Sequence, residues 1–381
     1  MNTTTLFGID LLLTQAANYK NKRIGLVCNA ASLTSLGTHT RVALQEAGFQ
    51  IVRLFAPEHG FDSQGVDGAY IDDNIDALTQ IPIVSLYSKK LAPSAADLAD
   101  LDLVIVDLPD IGARFYTYLW TMTYVMESCE QYGTPALVLD RPNPMAKDIS
   151  LAEGPILTPS CASFIGRFPI PITHHCTFGE LAKYFQANYF PNLDLQILFM
   201  EHWNRSINSN YPFFPTSPAI QRRETVYTYA GACLFEGLSI HEGRETASPF
   251  AQFGAPWIDA DRLFLAASKL ADNVILERVH YTASISIYQG ETCHGLRVIP
   301  QDPKTFLSVA YFTKLIALID HLFPNQLQER DYLTNVNPTG TKHLDLLLGI
   351  PNAFESIITG KYQTELKTEE WIEKIKPFIH Y

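Results

Sequence analysis

Short apolar runs recur along the first part of the chain, and polar segments separate them. The runs lie at residues 24–27, 51–55, 82–86, 103–106 and 136–139, with a weaker one at 195–199. Several show no alternation of apolar and polar side chains, which is typical of strands buried on both faces of a sheet. We therefore predict a set of buried, mainly parallel strands.

Helical periodicity appears between some of these runs. The clearest case covers residues 118–131, where Leu119, Met122 and Val125 fall on one face and Gly133 follows as a stop signal. An alternation of strands and helices predicts an α/β fold with a Rossmann-like, doubly wound and mainly parallel sheet. The order of the strands does not follow from the pattern.

The last third of the chain shows a different pattern of apolar and polar residues. Strand-like alternation at 281–288 is followed by helical runs at 306–323 and 370–378. We predict a second, smaller α+β domain packed on the first. The predicted boundaries are residues 1–229 for the Rossmann-like catalytic domain and residues 230–381 for an auxiliary domain that closes the active-site cleft.

Composition and charge narrow the class of protein. The 381 residues carry a net charge of −12 and contain no basic cluster, which argues against nucleic acid as a partner. No apolar run approaches the roughly 18 residues that a membrane span would need, so we expect no membrane span. The remaining expectation is a globular protein that acts on a small molecule.

The N-terminus and the cysteines indicate the compartment. Asp10 interrupts the apolar stretch at residues 6–13, and no basic residue precedes it, so a secretory signal is not apparent. The six cysteines form no CxxC pair and are expected to be buried free thiols. We expect a cytoplasmic protein, or a periplasmic one if a leader has been removed.

The motifs of several common cofactor sites are missing. The first strand leads into Asn29-Ala30-Ala31-Ser32 rather than a GxGxxG loop, and no GxxxxGK[ST] or GxSxG run occurs. A metal site built from His59, Asp62, Asp67 and His175 is conceivable, but it lacks a recognisable ligand spacing. No cofactor and no metal are therefore predicted.

The first candidate for chemistry is Glu58, in the loop FAPEHGF at residues 55–61. It follows a predicted strand, where ligands bind in open α/β sheets. Burial between Phe55 and Phe61 would raise the pKa of this carboxyl, as a general acid requires. The alternative is that Glu58 caps the N-terminus of a helix.

Two further strand ends carry charged groups. Asp107 and Asp110 flank Pro109 after the strand at 103–106, and we expect Asp110 to pair with Arg114 one turn later. This leaves Asp107 as the better candidate for chemistry or sugar binding.

The strand at 136–139 leads into a rigid loop that begins with Asp140 and Arg141. The loop suits hydrogen bonding to a polar ligand, or an ion pair that braces it. Thr177 and Glu180 fit a helix capping box. His175 lies just before that box.

The third dense cluster lies at residues 231–246 and contains Glu236, Glu242 and Arg244 among several glycines. An arginine binds a carboxylate bidentately, so Arg244 is a candidate for an anionic substrate group. His241 and Glu242 begin like a zinc-binding HExxH motif, but Glu245 replaces its second histidine. The alternative is a turn-rich junction in which these charged groups pair with one another.

Five motifs in this order resemble the NamZ-type exo-β-N-acetylmuramidase family of bacteria. They are FAPEHGF (55–61), DIGARFYTY (110–118), VLDRPNP (138–144) followed by EGP, PIPITHHCTFGELA (169–182), and LFEGLSIHEGRETASPFAQFGAPW (234–257). The resemblance spans nearly the whole chain. It implies a cleft between two domains and hydrolysis of a terminal, β-linked N-acetylmuramic acid from the non-reducing end of peptidoglycan fragments.

The resemblance also implies roles for residues. Glycoside hydrolysis usually needs two carboxylates, and we expect Glu58 as the acid with Glu236, Glu242 or Asp107 as the second group. Arg114, Arg141 or Arg244 would bind the lactyl carboxylate of muramic acid. The other expected substrate-binding residues are Asn29, His59, Asp110, Tyr116, Asp140 and His175.

The chain departs from the family pattern in places. The usual Asn-Gln-Thr-Gly after the first strand is here Asn29-Ala30-Ala31-Ser32, and a usual Gly-Arg-Gly-Thr contains Glu245. These changes bear on substrate preference more than on the fold. Two alternatives therefore stay open, a non-catalytic protein that binds cell-wall sugars and a metal-dependent hydrolase of another small molecule.

Overall fold

A seven-stranded sheet organises the first domain. The computed structural model describes residues 4–58, 74–87, 89–207, 211–270, 273–362 and 368–381. The strands are β1 (Arg23–Val27), β2 (Gln50–Ala56), β3 (Asn74–Ile75), β4 (Pro82–Ser85), β5 (Leu103–Val106), β6 (Ala136–Leu139) and β7 (Leu195–Leu198). Their order is β3-β4-β2-β1-β5-β6-β7, and only β3 runs antiparallel to its neighbour. The predicted Rossmann-like α/β class is confirmed.

Helices cover both faces of this sheet and continue into the second domain. They are α1 (Gly8–Thr14), α2 (Thr40–Glu46), α3 (Ala95–Leu98), α4 (Tyr118–Tyr132), α5 (Phe178–Tyr189), α6 (Arg223–Ala232), α7 (Ala260–Ala267), α8 (Ser308–Leu322), α9 (His343–Leu348), α10 (Ala353–Ile358) and α11 (Thr368–Ile375). One apolar cluster fills the face toward α4 and α5, and another fills the face toward α1 and α2.

The central strands are buried as their sequences predict. All four residues of β5 and all four of β6 are buried. A strand covered on both faces has no solvent side, so its apolar run needs no polar alternation. The carboxyl ends of β1, β2, β5 and β6 meet at one edge of the sheet, and this edge carries the loops that contain the candidate residues.

Two local signals for helix ends are also confirmed. Helix α4 ends at Gly133, which adopts a left-handed conformation with φ of 70°. Helix α5 begins with a reciprocal capping box between Thr177 and Glu180. Both features stabilise the helix ends locally, so the sequence alone predicts them.

The second domain contains a three-stranded antiparallel sheet in the order β8-β10-β9. Its strands are β8 (Gln252–Ala255), β9 (Val274–Thr282) and β10 (Thr292–Pro300). The strand predicted at 281–288 is wrong, because residues 283–288 belong to the connection between β9 and β10. Apolar side chains of this sheet and of α8 join the cluster that covers α4, so one core is continuous across both domains.

The structure also describes the state of the cysteines and the length of the helices. All six cysteines are buried and free, as the scattered spacing predicts. Within the described ranges, none of the helices is long and apolar enough to cross a membrane.

Candidate active site

A cleft with an empty volume of about 780 Å³ lies where the two domains meet. The first domain contributes the end of β2 and the segment before α4. The second domain contributes the turn at Cys233–Gly237, the loop at 332–337 and the start of α9.

Glu58 faces this cleft from the first domain. It follows β2 by two residues, and only 6% of its surface is exposed. The hydroxyl of Thr117, the residue that precedes α4, donates a hydrogen bond of 2.6 Å to Glu58 Oε2. This bond fixes the orientation of the carboxylate toward the cleft.

Glu236 faces the same cleft from the second domain. The guanidinium of Arg244 donates a hydrogen bond to Glu236 Oε1, and His343 Nε2 lies 3.5 Å from Glu236 Oε2. Each oxygen of this nearly buried carboxylate therefore has a cationic or polar partner. Such partners favour a fixed, ionised carboxylate in a site that excludes most water.

Glu242 lies behind Arg244 and does not line the cleft. Its Oε1 is 3.0 Å from Arg244 Nε, and its Oε2 is 3.8 Å from a terminal nitrogen of Arg330. Burial raises the pKa of the Glu242 carboxyl. Arg244 thus lies between two glutamates, and Glu242 holds it from the side away from the cleft.

His343 is a cleft residue that the sequence reasoning missed. Its side chain is buried and its ring stacks on Tyr332, with ring centroids 4.6 Å apart and planes 17° apart. Among the described residues, Nδ1 has no hydrogen-bond partner. No motif surrounds His343 in the sequence, because its position at the first turn of α9 brings it to Glu236 only in the folded chain.

Aromatic rings form much of the remaining wall. Tyr116 lines the cleft as expected, and its ring lies edge-on to Tyr229, with centroids 6.2 Å apart. Tyr229 in turn packs edge-on against Phe250, over which the Arg244 guanidinium lies at 4.9 Å. Faces of this kind suit the apolar surface of a pyranose ring.

Asp107, Asp110 and Arg141 lie outside the cleft, at the end of the sheet. Arg141 binds both oxygens of Asp107, at 2.5 and 2.8 Å, and the Thr40 hydroxyl donates to Asp107 Oδ2. Asp110 and Arg141 line a separate, smaller pocket of about 370 Å³. The structure therefore does not bring Asp107 to Glu58 as a second cleft carboxylate.

Arg114 is fully buried and also lies outside the cleft. The predicted pair with Asp110 is wrong, since the Arg114 guanidinium donates to the carbonyl oxygens of Pro155, Ile170 and Leu347. Asp110 instead lies 3.2 Å from His174 Nε2. Burial lowers the pKa of Arg114 to about 9.

Asp140 and His175 support the fold around α5. Asp140 accepts hydrogen bonds from Gly179 N and from the hydroxyls of Thr177 and Tyr381, and burial raises its pKa to about 7. Burial lowers the pKa of His175 to about 3, so it is neutral at physiological pH. Neither residue lines the cleft.

The last predicted residues are Asn29 and His59. Asn29 is buried in the turn after β1, where its Oδ1 accepts from Ala31 N at 3.0 Å. His59 lies outside the described residues, as do Asp62 and Asp67 of the conceivable metal site. Elsewhere in the described ranges, histidines, cysteines and carboxylates form no group of three or more that could hold a metal ion.

Comparison with known proteins identifies the family. The model of the N-terminal domain of exo-β-N-acetylmuramidase NamZ matches residues 24–224, and that of its C-terminal domain matches residues 227–381. The chain belongs to the NamZ family. It is 36% identical over 327 residues to the peptidoglycan β-N-acetylmuramidase NamZ of Bacillus subtilis, covering 84% of this chain and 78% of that one.

Solved structures share the fold of this NamZ family member. A DUF1343 family protein from Bacteroides fragilis superposes with a TM-score of 0.85 at 24% identity, covering 99% of both chains. A second DUF1343 family protein from the same organism has a TM-score of 0.75 at 27% identity, covering 100% of this chain and 99% of its own. The fold is therefore common to all three chains.

Proposed function

We propose that this protein is an exo-β-N-acetylmuramidase that removes terminal, β-linked N-acetylmuramic acid from the non-reducing end of peptidoglycan fragments. One observation carries the proposal beyond the family match. A carboxylate from each domain, Glu58 and Glu236, faces the same small aromatic cleft. Glycosidases usually need two carboxylates on either side of the scissile bond.

The surroundings of the two carboxylates support different roles. Glu236 has partners at both oxygens, Arg244 and His343, and we assign it the ionised role of base or nucleophile. Glu58 is buried and accepts a hydrogen bond from the Thr117 hydroxyl, and we assign it the role of general acid. Protonation of the glycosidic oxygen by Glu58 would release the rest of the glycan.

Recognition of muramic acid requires a group for its lactyl carboxylate. Three arginines are candidates by sequence, and among the described residues that line the cleft only Arg244 is an arginine. We therefore assign the lactyl carboxylate to Arg244, whose planar guanidinium suits a carboxylate. The aromatic walls around Tyr116 and Tyr229 would hold the pyranose ring.

Turnover of two chromogenic substrates tests this function. The protein is incubated with a chromogenic β-N-acetylmuramide and with the matching β-N-acetylglucosaminide, each with and without a chelator. We expect cleavage of the muramide only, at the same rate with chelator. Equal cleavage of both sugars would contradict the role of Arg244, because the two substrates differ in the lactyl group.

Two other outcomes would replace the proposal. Saturable binding of wall fragments without cleavage of either substrate would indicate a sugar-binding protein. Cleavage that the chelator abolishes, and that added divalent metal restores, would indicate a metal-dependent hydrolase.

A further inference from the structure

A second, wider groove lies next to the cleft. Its empty volume is about 1,640 Å³, and it shares four wall residues with the cleft: Ser217, Ala219, Arg244 and Tyr332. The two cavities are therefore adjacent, and Arg244 and Tyr332 lie at their boundary.

One wall of this outer groove is apolar although it faces solvent. Pro218, Ala247 and Pro249 contribute to it, and the side chain of Leu333 is 70% exposed beside Tyr332. An exposed leucine next to an aromatic ring at the mouth of a site offers an apolar surface for a ligand. The C–H groups of a sugar ring form an apolar face that can pack on such a surface.

The charged residues of the groove differ in how they are engaged. Arg244 is held by Glu236 and Glu242, and Arg330 donates to the Glu236 carbonyl and to the Ser286 hydroxyl. The exposed guanidinium of Arg222, by contrast, makes no hydrogen bond or ion pair within the ranges that the structure describes.

The groove also contains two carboxylates. They belong to Glu245, which accepts a hydrogen bond from Ser284, and to the exposed Asp331. The three groove arginines outnumber these acids. Arg244 is assigned to the terminal muramic acid and Arg330 is bound to the Glu236 carbonyl and to Ser286, so Arg222 is the groove arginine that we assign to a second anionic group.

We propose that the outer groove binds the leaving side of the glycan, and that Arg222 pairs with a carboxylate on it. This inference rests on the proposed muramidase function. With the terminal muramic acid in the cleft, the next sugar, an N-acetylglucosamine, lies over Tyr332 and Leu333. The third sugar is again a muramic acid, and its lactyl carboxylate reaches Arg222. Longer fragments then bind more tightly than the disaccharide.

Binding to an inactive variant tests the groove without relying on turnover. Calorimetry compares a peptide-free disaccharide and tetrasaccharide, each with muramic acid at the non-reducing end, on Glu58→Gln and on Glu58→Gln combined with Arg222→Gln. An exposed charge pair contributes about 0.2–1 kcal/mol, or about 1.4- to 5-fold in affinity. We expect the tetrasaccharide to bind about two- to fivefold more tightly than the disaccharide, and Arg222→Gln to remove the charged part of this difference.

A matched control is Arg262→Gln, which changes an exposed arginine of α7 that does not line the groove. It should leave the preference intact, and added salt should weaken the preference in the parent protein. Equal affinity for both oligosaccharides, or an unchanged preference in the Arg222→Gln variant, would overturn the proposal. Disaccharide turnover by the unmodified protein is measured separately, so a failure of the groove and a failure of the muramidase function give different results.

Discussion

Two of the carboxylate–arginine pairs in this molecule differ in what else they touch. The Asp107–Arg141 pair lies at the end of the sheet, where Thr40 and the guanidinium occupy both carboxylate oxygens and 0% of Asp107 is exposed. The Glu236–Arg244 pair lines the cleft, and 14% of the Arg244 side chain remains exposed.

The comparison shows that residue type and burial do not separate a structural pair from a functional one. All four residues lie within two positions of a glycine or a proline, so the two pairs look similar in the sequence. They differ in whether a face of the pair meets an open cavity. Substitutions in the Glu236–Arg244 pair should therefore mainly reduce activity, and substitutions in the Asp107–Arg141 pair should mainly reduce stability.

The largest expected effect comes from the other cleft carboxylate. Glu58→Gln removes a proton donor but keeps the shape and the hydrogen bond from Thr117, so kcat/KM for the muramide should fall by about 10⁴-fold, or about 5 kcal/mol. Steady-state kinetics measure the loss. Thermal unfolding checks that the fold is intact, and retained activity would remove Glu58 from the mechanism.

The next effect concerns the sheet pair. Asp107→Asn leaves the buried Arg141 guanidinium without a counter-ion, so the free energy of unfolding should fall by about 3–5 kcal/mol. Urea unfolding measures this loss. Glu58→Gln is the matched control, since both variants replace an acid by its amide. A hundredfold fall in kcat at unchanged stability would return Asp107 to the catalytic candidates.

A smaller effect is expected at the cleft arginine. Arg244→Lys keeps the charge beside Glu236 but loses the planar fork, so KM for the muramide should rise by about 10- to 100-fold. Competitive inhibition by free N-acetylmuramic acid and by N-acetylglucosamine separates the causes. Weaker inhibition by the muramic acid alone supports lactyl recognition, whereas an equal loss for both sugars would indicate that Arg244 acts through Glu236.

The smallest effect is expected at Glu153, a buried carboxylate that forms no ion pair with the described arginines and lysines. Glu153 accepts hydrogen bonds from Val309 N and Ala310 N at the start of α8, and burial raises its pKa to about 7. The unfolded chain loses this proton at lower pH than the folded one, so folding stability should fall as pH rises from about 4.5 to 7.

Glu153→Gln does not titrate, so the loss of stability between pH 5 and pH 8 should be smaller by about 1–2 kcal/mol. Urea unfolding at the two pH values gives this difference. The variant also loses one acceptor for the helix amides, so it should be less stable at both values. An unchanged pH dependence would exclude Glu153 as its source.

The sequence predicted those structural features that depend on neighbouring residues. The runs at 103–106 and 136–139 form buried strands, α4 ends at Gly133, and Thr177 with Glu180 caps α5. Each of these features depends on neighbouring residues or on the apolar character of a short segment. Its signal is therefore present in the order of the amino acids.

The errors arose where a rule for one type of secondary structure was applied to a segment with a different structure. Asp110 and Arg114 are four residues apart, but the segment before α4 is not helical, so their side chains do not meet as they would on one helix face. Of the predicted strand at 281–288, only the first two residues belong to β9. The prediction failed because a polar connection can show the same alternation of apolar and polar residues as a half-exposed strand.

By itself the sequence determined the α/β class, the central strands, the family and the set of charged loops. The tertiary structure decided which of those charges share a cavity. It brought Glu58 and Glu236 together from positions far apart in the chain, added His343 from α9, and closed Asp107 beneath Arg141. The physical reason is that strand order and domain packing set these distances, and neither is encoded in the spacing of neighbouring residues.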